Sequence, residues 1–241
     1  CDAYQMVFPQ GEGSKAFWAY QEILKDMLTH GFGRGDVLIA LGGGMVGDLT
    51  GFAAATYMRG ISYLNIPTTT LSQIDSSIGG KTAVNLEGVK NVVGAFHQPE
   101  AVFLDPQVLE TLHPRHYANG MAEALKAGLI GDGVLFELME REDIAQNQEE
   151  IIHRANLVKK AIVEADETEQ GQRKLLNFGH TLGHALESYY ELGGLLHGEC
   201  VALGMLPMLG SDELRERVVA VMEKLGLPVK ADYDCQQVYE L

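Results

Sequence analysis

The sequence predicts a Rossmann-like α/β domain followed by an all-α domain. Two short runs rich in β-formers, DVLIAL (36–41) and ISYLNIP (61–67), flank VGDLTGFAAATYM (46–58), which has helical spacing. Strands alternating with helices mean a parallel sheet covered on both faces. After Thr111 the apolar patterns repeat with a period near 3.6 and no convincing strand follows. The boundary is therefore set near residue 112, with the α/β domain at 1–112 and the helical domain at 113–241. The chain opens on Cys1 and stops inside an amphipathic stretch, DCQQVYEL, so each domain is expected to lack one end. There is no internal repeat and no low-complexity tract.

Composition narrows the function. The net charge is -15, with 46% hydrophobic and 21% charged residues. A phosphate backbone requires a basic face, so nucleic-acid binding is excluded. No apolar run reaches the roughly 18 residues of a membrane span, and no signal peptide opens the chain. Cys1, Cys200 and Cys235 lack CxxC spacing and are odd in number, which reads as free thiols in a reducing, cytoplasmic setting. An acidic protein still binds a small anion if its few cations converge.

The first motif is LIALGGGMVGDLTG, where Gly42-x-Gly44-x-x-Gly47 follows a strand and opens a helix. Glycines there let the backbone approach a pyrophosphate, and the helix N-terminus offers amide hydrogens. The alternative is a tight strand-to-helix turn without a ligand. The ribose-binding acid expected roughly 20 residues on is missing from ISYLNIP. Asp48, after the third glycine, reads as helix N-terminal charge or as a cofactor contact.

The second glycine pair lies in DSSIGGKTAVN. Gly80-Lys81-Thr82 mimics the end of a P-loop, but Asp75 stands where that pattern needs glycine, so an NTPase is rejected. What remains is a turn bearing Asp75 and Lys81, followed by Lys90 and Asn91. It reads either as a solvated face or as an anion pocket.

In the helical half, LLNFGHTLGHALES places His180 and His184 at i and i+4, facing one side. No glutamate lies between them as a zincin would require, and a hydrogen-bonded pair of core histidines fits equally. NGMAEALKAGL sets Glu123 and Lys126 one turn apart on an apolar face, where charges must be paired or ligated. LLHGECVALGM brings His197 to the mouth of another helix. One glutamate with two histidines is a known zinc set. Lys159 and Arg173 bracket an acid-rich turn, and Arg173 and Asn177 lead into the His180 segment.

Seven of these segments resemble 3-dehydroquinate synthase: GGGMVGDLTGF, MRG, IPTTTLSQIDSSIGGKTAVN, KNVVGAFHQP, GMAEALK, LLNFGHTLGHA and HGECVALGM. They occur in order over nearly the whole chain. The resemblance implies a dehydroquinate synthase-like fold and a carbon-oxygen lyase, a phosphate-eliminating cyclase of the shikimate pathway. Its substrate would be 3-deoxy-D-arabino-heptulosonate 7-phosphate and its products 3-dehydroquinate and phosphate. NAD would oxidise a ring hydroxyl, phosphate would leave, the ketone would be reduced again, and an aldol closure would follow.

Carried over by motif, Glu123, His180 and His197 would hold one divalent metal, zinc or alternatively cobalt. His184 would stay free for the substrate phosphate and proton transfer; spacing alone does not choose between His180 and His184. Lys81, Asn91, Lys126, Lys159, Arg173 and Asn177 would surround the substrate. Asp75 would support the site, and Arg59 would meet the phosphate across the interface of a homodimer. Glu12, Lys15, Gly44, Met45, Val46, Gly47, Asp48, Thr68, Thr69, Lys81 and Lys90 would bind NAD, with Val108, Leu109, Glu110 and Thr111 closing over it. Full-length relatives carry a further β-α segment before this region, which would supply the missing nucleotide-binding acid, and a further helical stretch with a DKK-type motif after it.

Three rivals remain. A 2-deoxy-scyllo-inosose synthase would act on a substrate without a carboxylate, leaving Lys159 and Arg173 without a partner. A metal-dependent polyol dehydrogenase does not explain IDSSIGGKTAVN. An inactive truncated remnant would bind metal without turnover.

Overall fold

The computed structural model describes residues 2–167, 169–190 and 194–240, so Cys1 lies outside the described residues. The chain forms two compact units: 1–68 with 76–105, and 69–75 with 106–241.

In the first unit, α1 (Phe17–Thr29) leads to β1 (Val37–Gly42), α2 (Gly44–Thr56) and β2 (Ser62–Pro67). β1 and β2 pair in parallel from Val37 opposite Ser62 to Gly42 opposite Pro67. The right partner of β2 comes much later in sequence, a short parallel strand at Ala101–Val102. Both predicted strands and the helix between them are thus present. Ala19, Ile23 and Met27 of α1 pack with Leu49, Phe52 and Ala53 of α2 and with Tyr63 and Val84.

Lys81–Leu86 and Val89–Phe96 form an antiparallel hairpin where sequence reading expected only a turn. Numbered in chain order, these are β3 and β4, and Ala101–Val102 is β5. Glu87 and Gly88 both have positive φ, 49° and 82°, the geometry of the tight turn that matches strand twist. The lysines at 81 and 90 make this segment look like a polar loop, whereas Thr82 and Val84 of β3 are buried and Val93 and Ala95 of β4 are half-buried, each pair two residues apart on its strand.

The second unit is helical: α3 (Pro114–Gly131), α4 (Gly133–Arg141), α5 (Gln148–Ala165), α6 (His180–Tyr189), α7 (His197–Met205), α8 (Asp212–Leu225) and α9 (Cys235–Glu240). Its core joins Met121 and Leu125 of α3 with Leu135 and Met139 of α4, Ile151 and Ile152 of α5, and Val201 and Met205 of α7. A smaller cluster of Leu186, Cys200, Leu203 and Val238 ties α9 to α6 and α7.

The segment 69–75 belongs with this unit although it precedes the hairpin in sequence. Asn156 of α5 donates to the Gln73 carbonyl at 3.0 Å, and the Thr70 hydroxyl donates to the His116 carbonyl at 3.3 Å. It ends in a π-helical turn, Ser72–Ser76, a feature frequent at functional sites.

Candidate functional site

Two clusters carry chemistry, one in each unit. In the second unit, α3 runs through the core, so Glu123 and Lys126 are buried at 2% and 3% exposure. Their side chains are in direct ion contact, the arrangement a buried charge requires. The α6 helix starts at His180 because Gly179 breaks the preceding 3-10 turn (Gln172–Asn177) with a left-handed φ of 79°. A Cβ at Gly179 would come within 2.6 Å of Met205 and 2.8 Å of the Val201 carbonyl, so no other residue fits there. The LLNFGH stretch, whose sequence has helical period from Leu175, is instead a 3-10 turn and a break, and the helix begins only at His180.

This break aims His180 Nε2 at Glu123 Oε1, 3.9 Å away. The His180 Nδ1 faces the Phe178 carbonyl at 3.2 Å, which favours the tautomer that leaves Nε2 as a lone pair. His197, at the first position of α7, brings Nε2 to 3.6 Å from the same Glu123 oxygen. One ligand atom from each of Glu123, His180 and His197 lies within 4.8 Å of the others.

The electrostatics are those of a cation site. Burial opposes ionisation of Glu123, but Lys126, His197 and His180 outweigh it and hold the carboxyl well below its usual range. Burial pushes His180 down to about 4, helped by Lys126 against the pull of Glu123. Burial also disfavours charge on His197, yet Glu123 and Glu187 lift it to about 10. The Glu123 carboxylate is nevertheless left without a properly directed hydrogen bond on either oxygen. A buried carboxylate short of donors, facing two imidazole nitrogens, fits a divalent metal.

Around this cluster, Lys159 of α5 reaches Asp75 Oδ1 at 2.5 Å and also meets the Asp75 carbonyl. Burial depresses the Lys159 pKa despite Asp75. Burial would raise Asp75, but Lys159 and Lys126 hold it low. His184 stands exposed one turn beyond His180, its ring 5.2 Å from His180 and 5.9 Å from His197. Arg173 is buried and its guanidinium meets the Glu167 carbonyl, while exposed Asn177 donates to Glu169 at 2.8 Å. Leu109 is part of the second unit's core and Val108 packs against it, with Glu110 and Thr111 completing the same 3-10 turn.

In the first unit, buried Lys15 meets Asp48 Oδ2 at 2.5 Å and also contacts Asn91 Oδ1. Asn91, expected beside the substrate, thus joins two residues expected beside NAD. Glu12 accepts from Asn85 Nδ2 at 2.9 Å, and Asn85 Oδ1 accepts the Asn91 N–H at 2.9 Å. The first turn of α2 has no side-chain cap; Val46 and Gly47 donate to the Gly43 carbonyl at 3.0 and 3.1 Å, so the Gly44 and Met45 amides ahead of them are the ones that suit an external anion. Close packing accounts for part of the glycine pattern, since a Cβ at Gly44 would lie 2.7 Å from the Ser76 hydroxyl. Thr68 N–H donates to the Gly42 carbonyl at 2.8 Å, whereas Thr69 belongs to the second unit, where its hydroxyl accepts from Ser72 N–H at 3.2 Å. Lys81, Lys90 and Arg59 are exposed, Arg59 with a left-handed φ of 70°.

Sequence reading overlooked three participants. Asn85 lies inside the hairpin that had read as a turn. Glu187 follows His180 and His184 on one stripe of α6, at i+7 and i+3, and its carboxylate lies 3.4 Å from His197 Nδ1. Arg115 forks onto Glu199 with two contacts of 2.7 Å. The helical spacing could have revealed Glu187; nothing local joins Arg115 to Glu199.

Comparison with known proteins agrees with this layout. The family model described as 3-dehydroquinate synthase N-terminal matches residues 5–119, and that described as 3-dehydroquinate synthase C-terminal matches residues 120–241. A 3-dehydroquinate synthase of Clostridium acetobutylicum is 44% identical over all of this chain, which spans 71% of that protein. A 2-epi-5-epi-valiolone synthase from Streptomyces hygroscopicus subsp. jinggangensis, solved with NAD+ and Zn2+, is 31% identical at a TM-score of 0.90, covering 97% of this chain and 70% of that one. A 2-deoxy-scyllo-inosose synthase complexed with carbaglucose-6-phosphate, NAD+ and Co2+ is 28% identical at a TM-score of 0.84, covering 97% and 68%. These two are sugar-phosphate cyclases by name and share the α/β-then-helical architecture. Two adjoining family matches across residues 5–241, the 44% relative and the Glu-His-His cluster lead to one conclusion: the chain belongs to the 3-dehydroquinate synthase family.

Proposed function

We infer that the protein is a 3-dehydroquinate synthase, converting 3-deoxy-D-arabino-heptulosonate 7-phosphate to 3-dehydroquinate and phosphate with NAD and one divalent metal. The observation that carries this reading is the buried Glu123 carboxylate, short of hydrogen bonds and faced by His180 and His197, with Lys126 beside it. The relatives at 43–46% identity favour the carboxylate substrate over that of an inosose synthase.

When bound, NAD supplies transient hydride acceptance and the metal, zinc or alternatively cobalt, supplies Lewis acidity toward the substrate hydroxyls. Glu123, His180 and His197 are the residues that would hold the metal. The uncapped start of α2 would receive a cofactor phosphate, with Lys15 and Asp48 beside it. Lys126 carries a charge that Glu123 and Asp75 sustain against burial, so it would orient an anionic or hydroxyl group rather than take up protons. Arg173 and Lys159 would bind the carboxylate and hydroxyls, and Asp75 would keep Lys159 in place. His184, exposed beside the half-buried His180 and His197, is the group best situated to move a proton as phosphate departs.

We assign the enzyme to the carbon-oxygen lyases and propose a cytoplasmic homodimer in which Arg59 meets the partner's substrate. Light scattering of the purified protein tests the oligomer. Phosphate release in the presence of NAD and zinc, measured side by side on heptulosonate 7-phosphate and glucose 6-phosphate, tests the reaction. Release from the heptulosonate alone, lost in Glu123→Ala, supports it. Release from glucose 6-phosphate alone moves the protein to the inosose synthases.

A further inference from the structure

His197 is the one residue that belongs to both candidate metal-binding groups among the described residues: Glu123–His180–His197 and His184–Glu187–His197. Its two ring nitrogens face opposite carboxylates. Nε2 lies 3.6 Å from Glu123 Oε1, and Nδ1 lies 3.4 Å from Glu187 Oε2. A single imidazole presents one lone pair at a time, so the proton on Nδ1 decides whether Nε2 is a ligand.

We propose that Glu187 is a positioning residue: by accepting the Nδ1–H of His197 it fixes the ring and its tautomer so that Nε2 points at the metal beside Glu123. The inference rests on the reading that Glu123, His180 and His197 hold that metal.

The surroundings make this division of labour consistent. Glu187 is only 19% exposed and lies on the same stripe of α6 as His180, so one rigid helix carries a ligand and the partner of another ligand. The backbone around His197 is fixed separately. Asn119 Oδ1 accepts the Gly198 N–H at 2.6 Å, and Glu199 is gripped by Arg115 and by the Leu196 N–H at 2.8 Å. The main chain of α7 is thereby anchored, and what remains to be set is the rotation of the imidazole. A carboxylate on the far nitrogen sets it, and such partners contribute about tenfold to a hundredfold in metal affinity. The alternative, Glu187 and His184 as ligands of a second ion, would turn Nδ1 into a ligand atom and leave it no proton to donate.

The test is titration of the metal-free full chain with Co2+, followed by visible absorption and by competition with a chelator. Thermal melting of each metal-free variant accompanies it. Wild type is expected to bind one Co2+ per chain. Glu187→Ala should bind one Co2+ about tenfold to a hundredfold more weakly with the same band positions, and Glu187→Gln, which keeps a neutral acceptor, should fall between. The proposal is overturned if both variants bind like wild type. It is also overturned if wild type binds two equivalents and Glu187→Ala loses one. If Glu187→Ala does not fold, Glu187→Gln decides, with a loss of several-fold expected and none overturning. Failure of the metal assignment itself would look different: Glu123→Ala would then bind Co2+ as wild type does.

Discussion

Gly198 and Asn119 are locked together from both sides. Asn119 Oδ1 accepts the Gly198 N–H at 2.6 Å, and a Cβ on Gly198 would come within 1.9 Å of the Asn119 carbonyl oxygen. Glycine is required because α7 meets α3 backbone to backbone. Those helices carry His197 and Glu123, so this contact sets the spacing of the candidate metal group.

Gly198→Ala is therefore expected to be among the most damaging single-methyl changes in the chain. Overpacking typically costs about 1–3 kcal/mol, and a clash with rigid backbone belongs at the upper end or beyond. Asn119→Ala should cost about 1–3 kcal/mol by leaving a buried N–H without its acceptor. Urea unfolding midpoints of both variants measure this. A Gly198→Ala protein as stable as wild type would contradict the packing described.

Zinc should stabilise the folded chain through Glu123. At about one hundred times its Kd a ligand adds about 2.7 kcal/mol, which for a chain this size raises Tm by about 5–10 °C. Glu123→Ala should abolish the zinc-dependent rise. It should also destabilise the metal-free protein by about 3–5 kcal/mol, because Lys126 would lose its buried partner. Melting curves with zinc and with chelator separate the two effects. A zinc-dependent rise that survives in Glu123→Ala would place the metal elsewhere.

The strands at 37–42 and 62–67, the helical second half and the residues that form the Glu-His-His cluster were legible in the sequence, because each lies in a local pattern. Non-local closures were not legible. Lys159 finds Asp75 across 84 positions, and Arg115 finds Glu199 across the same separation. The left-handed break at Gly179, after which His180 faces Glu123, leaves no trace in the HxxxH spacing. The β3–β4 hairpin was hidden for a different reason. Its faces are only partly buried, so charged residues interrupt the alternation that would mark a strand. The segment 69–75 reads as part of the first domain by adjacency, but its Thr70 hydroxyl bonds to α3 and its Gln73 carbonyl to α5, within the second.

Asn85 should matter to the first unit alone. It joins Glu12 to Asn91, and Asn91 adopts a left-handed φ of 55° that few residues tolerate. Asn85→Ala removes the acceptor of the Asn91 N–H and the donor to Glu12 together. NAD affinity, measured by calorimetry, is expected to fall about tenfold, the equivalent of one lost hydrogen bond of about 1.4 kcal/mol. Co2+ affinity should be unchanged, since the metal group belongs to the second unit. An unaltered NAD affinity would detach this network from the cofactor.

Acid should weaken the second unit partly through Asp132. Its Oδ1 accepts the N–H of Val134 at 3.0 Å and of Leu135 at 3.1 Å, capping α4, while Oδ2 meets Arg154 at 3.1 Å. Burial, the largest single influence, would raise its pKa, but the Leu135 N–H, the Arg154 guanidinium and the Val134 N–H together outweigh it and hold the carboxyl below its ordinary value. A carboxyl depressed in the folded state stabilises fully above its unfolded pKa of about 4. That stabilisation is lost as pH falls through the lower folded value, because protonation removes the charge that the cap and Arg154 use. Asp132→Ala should cost about 1 kcal/mol at pH 7, the usual worth of such a cap. The gap between wild type and variant should stay constant from pH 7 to pH 5 and narrow toward pH 3. Urea titrations at those three pH values read it directly. A gap that stays as wide at pH 3 would mean that the capping geometry, not the charge, holds this helix start.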